Sequence, residues 1–432
     1  MKRGERILLA AGCVLLLFVS WTMAFQAKSD TQKQTELMAQ AAAYMEDEIY
    51  IRAVPLLEEA VGYSGERTAE CEETLKKVYL DFADRQGYRK KYTDLLNQQM
   101  AREDAGPEVF MEAAQYYLAL PDREEALQVL RTGVQKTGDE GLNALYEENR
   151  YDYTFGRTIY EDVSTAANGA IQVRKEGAWG LARADGGLVI PCVYDKVSTY
   201  SNGQVLVKKG GVISAVDMDD NRVALLHADA SDFGNYSEGR TSLLLEDGWH
   251  NADGEFHIGA ASYEALGTYA GGYAAARQGG RWGVIDQSGE WYIPPEYDEI
   301  ILDELGRCYG QSAVFARTGD EVFLLADGQK VGEPYQDARP FADGYAAVKR
   351  EDRWGFIDAN GNVTIDFQFD DALSFGEHLA AVQIGQDWGY VSLSGKVVIE
   401  PFFSQAKSFY GGSAPVRTAD GWEFITLLEE TL

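Results

Sequence analysis

The chain has 432 residues, 45% of them hydrophobic and 25% charged, with 45 glycines and 25 tyrosines; this is enough for two or three globular domains rich in turns and strands. Its formal charge of −30 is spread evenly, with 14 basic and 24 acidic groups in residues 31–150 and 21 and 43 in residues 151–432. Acidity of this kind disfavours nucleic acid and anionic lipid headgroups as partners, and favours a protein partner carrying a basic patch.

Lys2, Arg3 and Arg6 precede an uncharged run from Ile7 to Phe25. As a helix rising about 1.5 Å per residue, that run spans roughly the 30 Å hydrocarbon core of a bilayer. Trp21 falls near the far interface and the basic flank comes first. Residues 1–30 therefore predict a single-pass transmembrane anchor in the cytoplasmic membrane, with the bulk of the chain extracytoplasmic. The alternative is a signal peptide cleaved near "TMA" at 22–24, which leaves a secreted protein. The apolar "VLLLFV" after Cys13 argues against lipid modification there. Cys71, Cys192 and Cys308 form no C-x-x-C pair and read as small buried residues.

From 31 to 150 the apolar pattern has a helical period. Ala53, Leu56, Leu57 and Ala60 share one face, as do Tyr92, Leu95 and Leu96, and Ala126, Val129, Leu130 and Val134. The three groups open at Ala53, Tyr92 and Ala126, at similar intervals. Helix pairs so spaced resemble tetratricopeptide repeats, a likeness that implies a peptide-binding groove. Pro55 should kink or start a helix. A plain antiparallel helical bundle is the other reading of the same pattern.

Residues 151–432 read as an all-β repeat domain. Trp282 and Trp354 each precede a Gly (Gly283, Gly355) and stand four residues before an Asp (Asp286, Asp358). Trp179-Gly180 and Trp388-Gly389 keep the pair, Trp249 keeps the Asp, and Trp422 opens a truncated unit. Ile213 and Phe323 open two decayed units, so eight units follow one another at a nearly regular interval, the mark of one repeated supersecondary unit. In one unit "GYAAVKR" is a strand, Glu351-Asp352 a turn, "RWGFID" a strand, "DANG" a turn and "NVTI" a third strand. Prolines at 191, 294, 295, 334 and 401 follow the third strand and mark strand ends or edges. The Trp supplies buried area joining units, and a glycine inside a strand asks for a close neighbour. We expect an aromatic of the Tyr297 or Phe369 type over Gly355. A stacking platform for sugar rings is the functional alternative for the tryptophans.

The Trp-Gly pairs, the "ID-x-x-G" turns and "IPPEYDE" at 293–299 resemble the WG-repeat family of bacterial proteins. The resemblance implies a β-rich repeat fold and an interaction role rather than a catalytic centre. The last unit lacks its third strand, and "YDYTFGRTIYEDVS" at 151–164 resembles the missing part. A terminal strand filling that place closes the units into a propeller-like ring, whereas an open β-solenoid needs capped ends. The expected fold class is thus α+β multidomain: transmembrane helix (1–30), helical repeat-like region (31–150) and β-repeat domain (151–432).

Motifs for chemistry are missing. His227, His250, His257 and His378 have no metal-ligand spacing, and no nucleophile elbow or phosphate loop occurs. "DMDDNRV" at 217–223 lacks the Gly and Glu of a calcium loop and reads as a hairpin turn. No catalytic residue, cofactor or metal is expected. The expectation is a non-enzymatic, membrane-anchored scaffold for protein–protein interaction, with a cell-wall or glycan-binding module as the alternative. The irregular "LDELGRCYGQS" at 302–312 reads as a surface loop able to select a partner.

Overall fold

The computed structural model describes residues 3–85, 87–120, 123–226, 229–308 and 313–428, with side chains from Phe25 onward. Two compact units emerge, Met1–Leu145 and Tyr146–Leu432.

The first unit is helical: α1 (Arg3–Glu46), α2 (Tyr50–Val61), α3 (Thr68–Asp81), α4 (Tyr88–Met100), α5 (Pro107–Leu118) and α6 (Glu124–Thr137), with α7 (Glu140–Asn149) running across the boundary. Among the described residues no helix is long and apolar enough to cross a membrane. The run expected to form the anchor lies, apart from Phe25, outside the residues with described side chains, as does Cys13. Helix α2 continues through Pro55 rather than starting there. The apolar stripes meet as their spacing requires: Ala53, Val54 and Leu57 pack with Leu75, Val78 and Tyr79, and with Tyr92, Leu95 and Leu96. Leu56 is only partly buried, and Val54 takes its place in the core. Gln34, wholly buried, donates from Nε2 to Tyr63 O (2.7 Å) and Thr68 Oγ1 (2.9 Å) and accepts from Arg67 N (3.1 Å). It satisfies the turn between α2 and α3 from inside.

The second unit forms eight four-stranded antiparallel sheets among its described residues. Blade 1 consists of Asp162–Val163, Ala170–Lys175, Ala178–Arg183 and Leu188–Tyr194, paired in that order. Blades 2 to 7 repeat the plan over 196–225, 232–263, 265–297, 299–335, 337–369 and 371–403. Blade 8 takes three strands from 405–427 and its fourth from Tyr153–Phe155. The closing register is Tyr153↔Leu427, Thr154↔Thr426 and Phe155↔Ile425. Gly156 N–Phe424 O (2.7 Å) and Leu428 N–Asp152 O (2.9 Å) extend the seam. The array is therefore a closed eight-bladed propeller and not an open solenoid. Its core lies between blades: one cluster joins Trp354, Phe356, Ile365 and Phe369 of blade 6 to Ala372, Phe375 and Val382 of blade 7.

Candidate functional site: the mouth of the ring

The repeated tryptophans sit in the third strand of their blades. Trp354 and Trp422 are buried, while Trp179, Trp249, Trp282 and Trp388 are half-buried. The Trp354 ring carries the Arg339 guanidinium 4.5 Å above it and packs within the joint between blades 6 and 7. Trp179, Trp282, Trp354, Trp388 and Trp422 thus join units, and the faces of Trp354 and Trp422 are not open to a sugar ring.

The glycine after Trp has a different reason from the one expected. Trp354 pairs with Phe369 and Phe356 with Ile365, so a step of two along the third strand is matched by a step of four along the outer strand. The surplus folds over Gly355, where a Cβ would lie 2.7 Å from Ile365 O and 3.0 Å from Asp366 C. Gly180 (2.5 Å to Ile190 O), Gly283 and Gly389 meet the same carbonyl contact. Backbone, not an aromatic ring, covers the glycine, and Phe369 and Tyr297 lie across the ladder from Trp354 and Trp282. Blade 5 keeps the step of four, Val322 to Tyr335 and Leu324 to Val331, with Phe323 at the glycine place, so the surplus alone does not require glycine; in blades 2 and 3 both the surplus there and the glycine are missing. Ser214 faces Leu225 and His250 faces Ser262 directly. His250 is buried, with Nδ1 3.0 Å from Gly259 O and Nε2 2.8 Å from Asp247 Oδ1. Blade 5 corrects the alignment by one residue: Val322 pairs with Arg317 as Trp354 does with Lys349, so Val322 and not Phe323 holds the Trp place.

The aspartate turns form as expected. Asp358 Oδ1 accepts from Asn360 N and Asn362 N, both at 2.9 Å, and Gly361 takes φ +82°. Asp286, Asp253 and Asp217 cap their turns in the same way, which makes the "DMDDNRV" segment a hairpin turn. Donation from the Asn362 side chain and backbone holds the Asp358 carboxyl below the usual range, and the Ser288 hydroxyl leads the same effect at Asp286.

The first strand of every blade is two residues long, and the connections that follow converge on the ring axis. Seven are tight turns whose two central residues both have positive φ, among them Asn168-Gly169, Glu238-Gly239 and Glu377-His378. They are stitched from blade to blade. Glu238 accepts from Gly271 N (2.7 Å) and Gly272 N (2.9 Å), Asp343 from His378 N (3.0 Å), and Glu377 from Gly411 N and Gly412 N.

Blade 5 breaks the pattern. Its connection, beginning at Ile301, is the segment expected as a surface loop; the described part, to Cys308, instead enters the centre. Leu305 and Cys308 are buried, and burial pushes the Cys308 thiol up to about 12. Cys71 is also buried and Cys192 half-buried, and all three thiols are free. The tip is another aspartate turn: Asp303 Oδ1 accepts from Leu305 N and Arg307 N at 2.9 Å, and Gly306 has φ +80°. A cavity of about 950 Å³ lies on one side of it, lined by Glu304, Pro340, Ser374, Lys407 and Tyr410 among others. A second of about 400 Å³ is lined by Tyr200, Asn202, Glu238 and Arg307. The charged groups here are mixed, with Arg307 Nε on Asp303 Oδ2 (2.7 Å) and Lys407 Nζ on Glu304 Oε1 (2.7 Å). Among the described residues no group of three or more His, Cys, Asp or Glu is placed to hold a metal ion; His227 lies outside them.

The profile of the WG containing repeat matches residues 179–212, 282–301, 335–354, 354–386 and 388–422. These stretches of the ring match the WG containing repeat. No curated protein matches the chain. Among solved structures, it is similar to PorZ, a surface component of the type-IX secretion system of Porphyromonas gingivalis, with 14% identity and TM-score 0.34, over 62% of this chain and 42% of that one. It is also similar to a eukaryotic initiation factor (10%, TM-score 0.39, 65% and 88%) and to the WD40 domain of SCAP from fission yeast (8%, TM-score 0.38, 65% and 98%). Likeness at this level carries no argument about function. Each of the Trp-Gly pairs in blades 1, 4, 6 and 7 falls within a matched stretch, and the stretches run on into blades 2, 5 and 8.

Proposed function

We propose that this WG-repeat protein is a non-enzymatic scaffold, anchored by its first thirty residues in the cytoplasmic membrane and facing outward, that binds a protein partner with a basic patch. The observation that carries the reading is the mouth of the ring. There a cavity of about 950 Å³ is bounded by a unique insert from blade 5, so one blade breaks the equivalence of the eight at the place where a partner would dock. Specific recognition needs such a unique feature on a repeated scaffold. The charge of −30 favours a basic partner and association that weakens as salt screens it. The helical unit supports a second contact surface of tetratricopeptide type, since α2, α4 and α6 start at the similarly spaced Tyr50, Tyr88 and Glu124. The anchor rests on the apolar run after Lys2, Arg3 and Arg6.

The test is in-cell cross-linking from residue 343 or 410 at the mouth, followed by salt titration of binding to the captured envelope protein. The expected result is a protein adduct whose affinity falls as salt rises. Binding confined to polysaccharide and indifferent to salt would replace this reading with the glycan module, and turnover of a substrate would overturn the non-enzymatic part.

A further inference from the structure

The blade 5 insert touches more of the ring than any tight turn does. Glu304 Oε2 accepts from Thr165 Oγ1 of blade 1 (2.8 Å), and Glu304 Oε1 from Lys407 Nζ of blade 8 (2.7 Å). The Leu305 carbonyl accepts from Asn235 Nδ2 of blade 3 (3.0 Å) and Thr268 Oγ1 of blade 4 (2.6 Å). Thr268 N adds a bond to Gly306 O (2.8 Å). Five hydrogen bonds thus run from one blade to four others. In an eight-blade ring, blade 1 stands opposite blade 5, so the Thr165 bond crosses the axis. The tip that makes these contacts is fixed by the Asp303 turn and by the buried Leu305 and Cys308. The other closure is the terminal seam, where three residue pairs are in register and Tyr160 bridges Trp422 through two backbone hydrogen bonds. Lys407, which receives the insert, also lies 5.4 Å from the Trp422 ring in the strand next to that seam.

We propose that the blade 5 insert is an axial tether, a second closure that holds the ring shut through its centre independently of the terminal strand. An eight-blade ring leaves a wide axis, and away from the axis each blade packs on its neighbours; besides the insert, Gln172 Nε2 of blade 1 donates to Asn235 Oδ1 of blade 3 (3.0 Å). A crossing strap converts nearest-neighbour contacts into ring-wide ones, so opening the seam alone does not separate blade 8 from blade 5.

The test is hydrogen exchange of the intact chain, comparing wild type with Glu304→Gln/Thr268→Val. Gly355→Ala in blade 6 gives the baseline for destabilisation away from the axis. The tether predicts that amides at 153–156 and 424–428 exchange at least tenfold faster in the double variant than in Gly355→Ala at matched global stability. Acceleration confined to 301–308, or a seam no faster than in Gly355→Ala, would overturn it. Should the double variant not fold, the isosteric Glu304→Gln alone is read against the same baseline and the same two outcomes.

Discussion

Gly355→Ala is the sharpest check on why a Trp-Gly pair recurs. The added Cβ would sit 2.7 Å from Ile365 O and 3.0 Å from Asp366 C and Phe367 N, all backbone atoms of a paired strand. Nothing there is a flexible side-chain end, so the outer strand itself must move. Overpacking of this kind costs about 1–3 kcal/mol. Alanine returns about 0.4–1 kcal/mol by restricting the unfolded chain, and from the middle of each range the net loss is about 1.3 kcal/mol. For a domain of this size that lowers Tm by roughly 2–6 °C. The measurement is the urea midpoint and Tm of the purified protein, with the denaturant slope unchanged. Ser214→Ala, at the equivalent buried place in blade 2 where no strand folds over, adds no Cβ and should cost less than Gly355→Ala. A neutral or stabilised Gly355→Ala would refute the backbone-contact account.

Two further outcomes are expected. Gln34→Leu removes four hydrogen bonds around a buried turn and leaves backbone groups there unsatisfied; it should cost about 2–4 kcal/mol, read as an earlier urea transition in the helical signal by circular dichroism. The turn aspartates Asp217, Asp253, Asp286 and Asp358 have carboxyls depressed in the fold. Their contribution is present above the unfolded value of about 3.9 and is lost as pH falls through the lower folded values. Tm should therefore be level between about pH 7 and 5 and decline below about pH 4, and Asp286→Asn/Asp358→Asn should shrink that decline.

Local and periodic features are legible from the residues alone. The turns follow from Asp and Gly three apart, and the ring closure from a unit whose missing strand resembles the segment at 151–164. Blade 5 aligns one residue off because it has lost both Trp and Gly, leaving Phe323 as the only aromatic near the expected place. The neighbour of Gly355 escapes sequence reasoning because close approach by a backbone leaves no side-chain signature. The path of the insert depends on its partners Thr165, Asn235, Thr268 and Lys407, which are scattered from the first blade to the last. One clue is present: Asp303-Glu304-Leu305-Gly306 repeats the spacing of the ordered Asp358 turn inside a segment that otherwise reads as irregular.

The seam also sets an order of events during synthesis. Phe155 leaves the ribosome long before Ile425, the strand residue it must face. At about 5–20 residues per second, Tyr153–Phe155 waits roughly 14–54 s with its backbone edge unpaired. Through that interval seven blades can assemble while the eighth has no partner, so a nascent chain stalled before residue 422 presents the same open edge as a truncated one. A chaperone or export factor that recognises an unpaired strand edge would find its cue at Tyr153–Phe155, and the arrival of Trp422–Leu427 would cover that edge.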